Sequence, residues 1–396
     1  MGLAADKRWD VMVVGLGPAG AAAAARLARE GARVLALDGR PRRPKPCGGC
    51  LSARALEIMA FLEPPAWLRE HPVNRVWLTA PGRRPCHART ASPGAYFVDR
   101  ARLDDFFRER AQEAGAVVLR SRARALGREG GLHWLRTGGG VHRAPWLIGA
   151  DGAGGLTGRV LGLGRTGLKY AALVEERPLR DARLARMLER SALLELGGVE
   201  GGYAWAFLRG DILNLGLAGW AWRNRSTANL ARRYGRFLAR HGLGPAGRWR
   251  GAMIPCPDGR PPRLVSGRAA VAGDAAAAAD PFLGEGIGQA VLSGYLAAGG
   301  VVAGDLSLYA REMEATMFNE HAHARLLARL IYGAPGVFQS LARRHPGGIE
   351  LAWEVLRGQR GFTGIWGGVA RRGLPKRFRN VCGSLTPAPA PTIVDN

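Results

Sequence analysis

Short apolar runs alternate with a helix-forming segment near the start of the chain. Residues 10–15 are apolar over a strand length, which is typical of a strand buried on both faces of a sheet. The alanine-rich residues 21–30 have high helix propensity, Gly31 ends that segment, and residues 32–38 form a second apolar run. The pattern predicts a strand, a helix and a second strand in succession.

Three glycines lie between the first predicted strand and the helix. Gly15, Gly17 and Gly20 have the spacing G-x-G-x-x-G, and Asp38 closes the second strand. In this context the glycines allow a tight turn, close approach of a pyrophosphate and close helix packing. The helix N-terminus offers N–H groups to phosphates, and Asp38 can accept hydrogen bonds from ribose hydroxyls. These features predict a dinucleotide-binding βαβ unit.

Three later segments favour FAD over NAD as the dinucleotide. Residues 96–104 lead into a helix predicted over 105–114, and a strand over 147–150 ends in Asp151 and a glycine. A further strand over 269–272 ends in Gly273-Asp274, whose carboxylate can bind a ribityl chain. A glycine-rich loop and a helix starting near Ile287 follow. The N-terminus of that helix would stabilise the negative charge of a reduced flavin.

An alternation of aromatic residues predicts the other side of the site. Tyr203, Trp205 and Phe207 occupy every second position, so a strand would place all three rings on one face. That face would line an apolar tunnel over the flavin, or form an ordinary sheet core.

The cysteines Cys47 and Cys50 flank two glycines, and three interpretations of this stretch are open. A zinc site would need two further ligands at suitable spacing. A dithiol redox pair is the second, since residues 51–56 are predicted to start a helix that would lower the pKa of the Cys50 thiol. The favoured interpretation is a flavin-pocket loop in which the glycines let the backbone approach a flat ring. No metal site is predicted, and the histidines of residues 320–323 are expected to be solvated.

The charge balance is strongly basic, with a formal net charge of +25 carried almost entirely by arginine. No helix-turn-helix, zinc-finger or aromatic RNA-binding signature accompanies it, so no specific nucleic acid partner is expected. Arg42, Arg43 and Lys45 are candidates for holding the adenosine or phosphate end of the dinucleotide. The N-terminus carries no secretion signal, and a cytoplasmic location is expected.

The chain length of 396 residues and the order of segments predict two connected domains. The expected fold class is α/β, with a Rossmann-type FAD-binding domain, an inserted antiparallel-sheet substrate domain and C-terminal helices. The FAD-binding domain is placed at 1–75, 100–170 and 255–330, and the substrate domain at 76–99 and 171–254. Residues 331–385 are expected to be helices that pack as part of the core, cap the pocket or rest on the inner face of a membrane, and residues 386–396 a flexible tail.

The motifs together resemble the geranylgeranyl reductase family, within the FAD-dependent class that includes para-hydroxybenzoate hydroxylase. The resemblance covers roughly residues 9–330 and includes the D-R-x-x-(F/L)-D segment at 99–104 and G-E-G-I-x-x-A-x-x-S-G at 284–294. Leu208 stands where the family has a proline, and Cys50 where it usually has a glycine. The resemblance implies catalytic roles for Cys47, Cys50, Tyr203 and Trp205. Together with the motifs it implies the cofactor-binding residues Gly15, Gly17, Ala19, Gly20, Asp38, Gly39, Gly48, Gly49, Arg100, Asp151, Gly273, Asp274, Pro281, Gly284, Gly286, Ile287 and Gly288.

The function implied is FAD-dependent oxidoreduction of an apolar isoprenoid, lipid-like or secondary-metabolite substrate, by hydride transfer to a carbon–carbon double bond. The main alternative is a monooxygenase that hydroxylates an aromatic or polyketide-type substrate through a C4a-hydroperoxide. A basic binding protein with a structural flavin is a minor alternative. No second G-x-G-x-x-G follows Gly20, so a reduced nicotinamide nucleotide or another electron donor is expected to bind transiently.

Overall fold

The computed structural model describes residues 9–39, 45–345 and 347–365, and the fold begins with a largely parallel six-stranded sheet. Its strands are β1 (Val11–Val14), β2 (Val34–Leu37), β8 (Val117–Leu119), β12 (Trp146–Gly149), β18 (Val265–Ser266) and β19 (Ala269–Val271). The order is β18-β19-β12-β1-β2-β8, and only the edge pair β18–β19 is antiparallel. The carboxyl ends of β1, β12 and β19 therefore meet at one edge, where ligands bind in such sheets.

Six helices lie in the chain segments that connect or follow the strands of this sheet. They are α1 (Pro18–Arg29), α2 (Ala53–Ile58), α3 (Arg100–Glu113), α4 (Leu156–Leu161), α7 (Ile287–Val302) and α8 (Leu306–Met313). Shorter 3-10 turns occupy Ala60–Leu62, Ala66–Arg69 and Gly273–Ala276, and a π turn occupies Glu314–Phe318. The strand–helix–strand order predicted for the first forty residues is confirmed.

Two helix starts differ from the predicted ones, in each case because of a capping residue. The α3 helix begins at Arg100 rather than at residue 105, since the Asp99 carboxylate accepts hydrogen bonds from the N–H groups of residues 101 and 102 at 2.7 and 3.1 Å. Residues 51 and 52, predicted as the start of a helix, belong to strand β3 (Cys50–Ser52), and Ser52 caps α2 by accepting from Ala55 N at 3.1 Å.

A seven-stranded sheet forms the second layer. Its strands are β5 (Arg75–Thr79), β6 (Cys86–Arg89), β13 (Leu168–Pro178), β14 (Ser191–Leu196), β15 (Tyr203–Arg209), β16 (Ile212–Trp220) and β17 (Arg250–Cys256), in the order β17-β13-β16-β15-β14-β5-β6. The pairs are antiparallel except for β14 with β5, which run parallel because β5 arrives from an earlier part of the chain. One face of the sheet is covered by α5 (Ala182–Leu188) and α6 (Thr227–Arg240).

The remaining strands described form two small antiparallel sheets. One contains β3 (Cys50–Ser52), β4 (Pro72–Val73) and β7 (Ala95–Phe97). The other contains β9 (Ala125–Glu129), β10 (Leu132–Thr137) and β11 (Gly140–Ala144). Because β3 begins at Cys50, the first small sheet anchors the cysteine-glycine loop between the two large sheets.

The chain then returns as helices over the second face of the seven-stranded sheet. These are α9 (Asn319–Gly333), α10 (Pro335–Arg344) and α11 (Gly347–Leu356). The α/β fold class with an inserted sheet and C-terminal helices is confirmed. In residues 9–39, 45–345 and 347–365, no helix has both the length and the hydropathy needed to cross a membrane. The predicted tail at 386–396 and the basic pair Arg42 and Arg43 lie outside the described residues.

A close backbone contact in the first layer joins α1 to α7. A Cβ placed on Gly294 of α7 would lie only 2.0 Å from the carbonyl oxygen of Ala19 in α1. The same helix start is tight on its other side, where a Cβ on Gly20 would lie 1.8 Å from the Gly15 carbonyl oxygen. Only glycine allows this approach, so the first turn of α1 packs directly against the middle of α7.

The substitution Gly294→Ala should lower the free energy of unfolding by about 1–3 kcal/mol, because the added methyl group forces the two helices apart. Gly235→Ala is a matched control, since Gly235 lies within α6 and a Cβ there would meet no atom within 4 Å. The control should gain about 0.5–1 kcal/mol from helix propensity. Urea unfolding of both variants measures the difference, and equal stability changes would contradict the packing argument.

Candidate active site

One cavity of about 520 Å³ connects the edge of the six-stranded sheet to the C-terminal helices. At one end it is lined by the start of α1, the 45–50 loop, Asp151 and the start of α7. At the other end it is lined by the inner face of the seven-stranded sheet and by α10 and α11. The cavity therefore joins a polar compartment built on helix N-termini to an apolar one.

The structure brings most of the predicted site residues to this cavity. The lining includes Gly17, Ala19, Cys47, Gly48, Gly49, Cys50, Arg100, Asp151, Tyr203, Trp205, Gly273, Asp274, Gly284, Gly286 and Ile287. Among the described residues, six predicted positions are not part of this lining: Gly15, Gly20, Asp38, Gly39, Pro281 and Gly288. Several of those six support the wall from behind, as Gly15 and Gly20 do for the start of α1.

The start of α1 has the properties of an anion-binding site. Gly15 adopts φ +96°, and a Cβ at that position would lie 2.4 Å from the Ala150 carbonyl oxygen, so the turn requires glycine. Among the described residues no side chain caps the helix at Gly17. Its first N–H groups and the positive end of the helix dipole therefore face the cavity.

Asp38 lies at the end of β2 with a different partner from the one predicted. Its carboxylate is buried and accepts a hydrogen bond from Arg108 Nε of α3 at 2.8 Å. The neighbouring Gly39 carbonyl accepts from Arg122 Nε at 2.7 Å. A ribose contact at Asp38 stays a prediction, and it would have to share the carboxylate with Arg108.

The two remaining motif carboxylates are both engaged within the chain. Asp151 Oδ2 accepts from Thr157 N at 2.9 Å, and its other oxygen accepts from the Thr157 hydroxyl, so it fixes the turn into α4. Asp274 is ion-paired with the Lys45 ammonium group. Lys45 thus lies at the position expected for a ribityl chain rather than at the adenosine end.

A buried carboxylate shapes the loop that precedes α7. Asp280 is 1% exposed, and its two oxygens accept from Phe282 N at 2.7 Å and Leu283 N at 2.9 Å. Burial raises the pKa of Asp280 to about 7, although the same backbone hydrogen bonds oppose that rise. The carboxylate holds the loop in a tight turn that aims the N-terminus of α7 at the cavity.

Three tyrosine hydroxyls hold the same loop from the outside. Tyr170 donates to the carbonyl of residue 281 at 2.5 Å, Tyr203 donates to that of residue 283 at 2.5 Å, and Tyr332 donates to that of residue 282. Burial raises the pKa of each of these hydroxyls, so all three remain protonated donors. Tyr203 therefore acts on the loop through hydrogen bonding as well as lining the cavity.

The cysteine-glycine loop is held by the seven-stranded sheet. Asn214 Nδ2 donates to the Cys47 carbonyl at 2.9 Å, and Asn214 Oδ1 accepts from Trp205 Nε1 at 2.9 Å. Gly49 has φ +66°, and a Cβ there would lie 2.6 Å from the Val98 carbonyl oxygen. Glycine at this position is therefore required for the loop to bend against β7.

The two thiols differ in environment. Cys47 accepts from Gly49 N at 3.3 Å and has the Arg100 guanidinium beside it. Burial, and then the charge of Glu285, raise the pKa of the Cys50 thiol. The expectation of a lowered Cys50 pKa is wrong, because Cys50 lies in β3 and no helix begins at that residue. In the described part of the chain no group of three metal-ligating side chains comes together.

The apolar compartment is the second face of the seven-stranded sheet. Tyr203, Trp205 and Phe207 lie on this face, with ring centroids 5.9 and 6.0 Å apart along the strand. Alternate residues of neighbouring strands continue the face in register, among them Val76, Leu78, Ala172, Val174, Ala192, Leu194, Leu196, Ala218, Ala252 and Ile254. The helices close it with Phe338, Ile349, Ala352, Trp353 and Leu356.

Several contributors to the site were not predicted from the sequence. Asn214 is a polar residue in an otherwise apolar strand, and this exception in the sequence could have indicated a functional side chain. Glu285 belongs to the recognised G-E-G-I segment, and its carboxylate accepts from the Ser52 hydroxyl at the cavity wall. Tyr332 and Trp353 fall in the segment predicted to cap the pocket, but neither was named as a site residue, since their exact positions depend on how α9 and α11 fold back.

One histidine contradicts the expected solvation. His321 is 2% exposed inside α9, and burial lowers its pKa to about 3. Among the described residues its two ring nitrogens have no hydrogen-bond partner. The neutral ring packs against Phe318 at 6.3 Å between centroids, because α9 turns this side of the helix toward the core.

Comparison with known proteins agrees with this geometry. Residues 8–177 match the FAD binding domain family. The chain is 32% identical over 320 residues to the menaquinone reductase of Mycobacterium tuberculosis, a match that covers 75% of this chain and 77% of that protein. It is 29% identical over 328 residues to the chloroplastic geranylgeranyl diphosphate reductase of Oryza sativa, covering 76% and 68% of the two chains.

The same fold occurs in a geranylgeranyl bacteriochlorophyll reductase-like protein from Thermoplasma acidophilum. Its crystal structure gives a TM-score of 0.78 at 20% identity, and the match covers 96% of this chain and 99% of that chain. Fold and site define an FAD-dependent oxidoreductase of the class that includes para-hydroxybenzoate hydroxylase. FAD is its cofactor. The chain belongs to the geranylgeranyl reductase family, as its motifs predict.

The residues at the polar end fit FAD. The uncapped N-terminus of α1 suits a pyrophosphate. Gly286 starts α7 without a side-chain cap among the described residues, so a second helix dipole faces the cavity where negative charge on a reduced flavin would lie.

Asp274→Ala should weaken FAD binding by about tenfold or more, because a charge-assisted hydrogen bond to the ribityl chain is lost and Lys45 is left unpaired. The measurement is the visible flavin absorbance of the purified protein and the Kd for FAD after removal of the cofactor. Asp211→Ala, in the exposed turn between β15 and β16, is the matched control and should retain FAD. Full retention of FAD by the Asp274 variant would overturn the assignment.

Proposed function

We propose that this enzyme reduces a carbon–carbon double bond in an apolar isoprenoid, lipid-like or secondary-metabolite substrate. The observation that supports the proposal is the continuity of the cavity, which joins the polar compartment to a long apolar compartment without a dividing wall. The names of the relatives support the same substrate class, since one is a menaquinone reductase and another a geranylgeranyl diphosphate reductase.

The proposed FAD-holding groups are the start of α1, Asp274, the 47–50 loop and the start of α7. When bound and reduced, FAD supplies the hydride. The α7 N-terminus would stabilise the negative charge of the reduced ring, and its orientation depends on the hydrogen bonds to residues 281–283. Gly48 lies against Trp205, with 3.4 Å between the position of its absent Cβ and the indole, so this wall is flat and close.

The apolar compartment would orient the substrate. Burying an apolar chain yields about 0.8 kcal/mol for each CH₂ group, whereas a polar chain would lose its hydration there. Among the described lining residues, only those at the cofactor end carry charged side chains, including Lys45, Asp274 and Arg100. The double bond would therefore reach the reacting position with the apolar chain extending under β15 and β14 toward α11, in a compartment that excludes water.

Reduction requires one proton in addition to the hydride. Cys47 is the proposed proton source, with water as the alternative, because its thiol lies in the cavity wall and its backbone is fixed by Asn214. Cys50, whose thiol is held neutral by burial, lines the same wall. Trp205 and Tyr203 are proposed to position the 47–50 loop and the 281–283 segment, respectively.

The proposal also includes the electron donor of the enzyme and its contact with a membrane. A reduced nicotinamide nucleotide would bind transiently and reduce the flavin between turnovers. Residues of α10 support peripheral contact with a membrane, since Val337 is 55% exposed and Phe338 of the same helix lines the cavity.

Product analysis with dithionite-reduced enzyme tests the reaction. With oxygen removed, a geranylgeranyl substrate should yield a product that carries two additional hydrogen atoms, detected by mass spectrometry. Product formation that occurs only when oxygen is present, with an oxygen atom gained, would instead identify a monooxygenase and refute reduction.

Filling the apolar compartment should alter the preference for chain length. Leu194→Trp adds an indole beside Trp205, to which Leu194 is paired in register, and should lower kcat/KM about tenfold or more for a geranylgeranyl substrate relative to a geranyl one. Val141→Trp is the matched control, because Val141 is 38% exposed on β11 and away from the cavity. Equal losses for the two substrates would show that the chain does not lie under β14.

A further inference from the structure

A second cavity of about 310 Å³ lies beside the first, on the outer side of Tyr170. It is enclosed by the start of β13, the end of β16, the loop after β17 and the middle of α9. Tyr170 lines both cavities, and Pro281 lines the second one. The second cavity is therefore separate from the flavin compartment, yet it touches the loop that orients α7.

Two arginines of α9 give this cavity its charge. Arg325 and Arg329 are four residues apart, so both guanidinium groups lie on the same side of the helix. Among the described residues neither takes part in an ion pair, and Arg325 Nε is buried without a hydrogen-bond partner. The Arg325 guanidinium packs over Gly259, where a Cβ would lie 2.6 Å from one of its nitrogens.

The single carboxylate in the lining does not neutralise the pair. Asp258 Oδ2 accepts from Gly167 N at 2.9 Å, which ties it to the start of β13. Burial and the neighbouring charge of Arg329 lower the pKa of Arg325, and the charge of Asp258 opposes this shift only in part. An incompletely paired guanidinium in a cavity is costly, and a bound anion would supply the missing hydrogen-bond acceptors.

Aromatic surface stands next to these charges. The rings of Trp220 and Trp222 stack with centroids 5.7 Å apart and an interplanar angle of 13°, and both line the cavity. Trp222 is 47% exposed, which is unusual for so large an apolar side chain. The Arg223 guanidinium lies 4.3 Å from its ring centroid. The indole of Trp222 thus presents apolar surface beside the arginines, although Trp220 and Arg223 cover part of it.

We propose that the second cavity binds a phosphate-type anion carried on a flat or apolar group, with Arg325 and Arg329 holding the anion and the tryptophan pair holding the attached group. Phosphates of a reduced nicotinamide nucleotide and the anionic head of a substrate share this chemistry. The site does not depend on which reaction the flavin performs.

A chain of hydrogen bonds connects this site to residues 281–283, the segment that precedes α7. Trp220 Nε1 donates to the Tyr170 hydroxyl at 3.1 Å, and that hydroxyl donates to the Pro281 carbonyl at 2.5 Å. The segment held in this way leads directly into α7. Occupancy of the second cavity is thereby linked to the position of the α7 N-terminus.

The test is equilibrium dialysis of the FAD-loaded enzyme with radiolabelled inorganic pyrophosphate. FAD occupies the pyrophosphate site at α1, so the label reports on other anion sites. Arg325→Gln and Arg329→Gln should each weaken binding about tenfold or more, while Arg236→Gln, an exposed arginine of α6, should bind as the wild type does. Flavin absorbance and thermal unfolding of each variant establish that it is folded.

Two competing ligands then distinguish the source of the anion. Adenosine 2′,5′-bisphosphate that displaces pyrophosphate and loses affinity in Trp222→Ala identifies a nucleotide site. Displacement by a prenyl diphosphate, with the adenosine ligand without effect, identifies the substrate head. Pyrophosphate binding that is absent from the wild type, or unchanged in both arginine variants, would overturn the proposal.

Discussion

Three tyrosine hydroxyls bonded to three successive carbonyl groups join the two layers of this enzyme. Tyr170 and Tyr203 come from the seven-stranded sheet and Tyr332 from α9, whereas residues 281–283 belong to the connection from β19 to α7. Each bond contributes about 0.5–1.5 kcal/mol net, but leaving any of these buried groups unpaired would cost more. The apolar compartment, the α7 dipole and the arginine cavity consequently share one support, and their relative positions depend on it.

The cysteine-glycine loop is held in place by a polar side chain, Asn214, on the otherwise apolar face of the seven-stranded sheet. Asn214 connects the indole of Trp205 to the backbone of Cys47, and its amide nitrogen also lies 3.1 Å from Glu176 Oε1. Because every polar atom of this amide has a partner, its burial is tolerated. The sheet that holds the apolar substrate thus also determines where the cysteine-glycine loop stands.

The local sequence pattern was sufficient to predict several strands and helices, but it was insufficient to predict which side chains pair over long distances in the sequence. The strand, turn and helix around Gly15 follow from spacing and propensity alone, whereas the start of α3 was predicted five residues too late because the Asp99 cap was not recognised. The pairing of Asp38 with Arg108 spans 70 residues, and that of Lys45 with Asp274 spans 229, so neither could be obtained from neighbouring sequence. The burial of His321 likewise depends on the packing of α9, since its flanking residues are polar.

The contact between α1 and α7 has a thermodynamic consequence for the cofactor. Since a Cβ on Gly294 would lie 2.0 Å from the Ala19 carbonyl oxygen, the start of α1 packs backbone against backbone on the middle of α7, and neither helix can move alone. A dinucleotide bound at the start of α1 binds the folded chain and not the unfolded one, so its concentration adds to the resistance of the protein to denaturation by mass action. The supply of flavin and the lifetime of the protein are therefore coupled through the packing of these two helices.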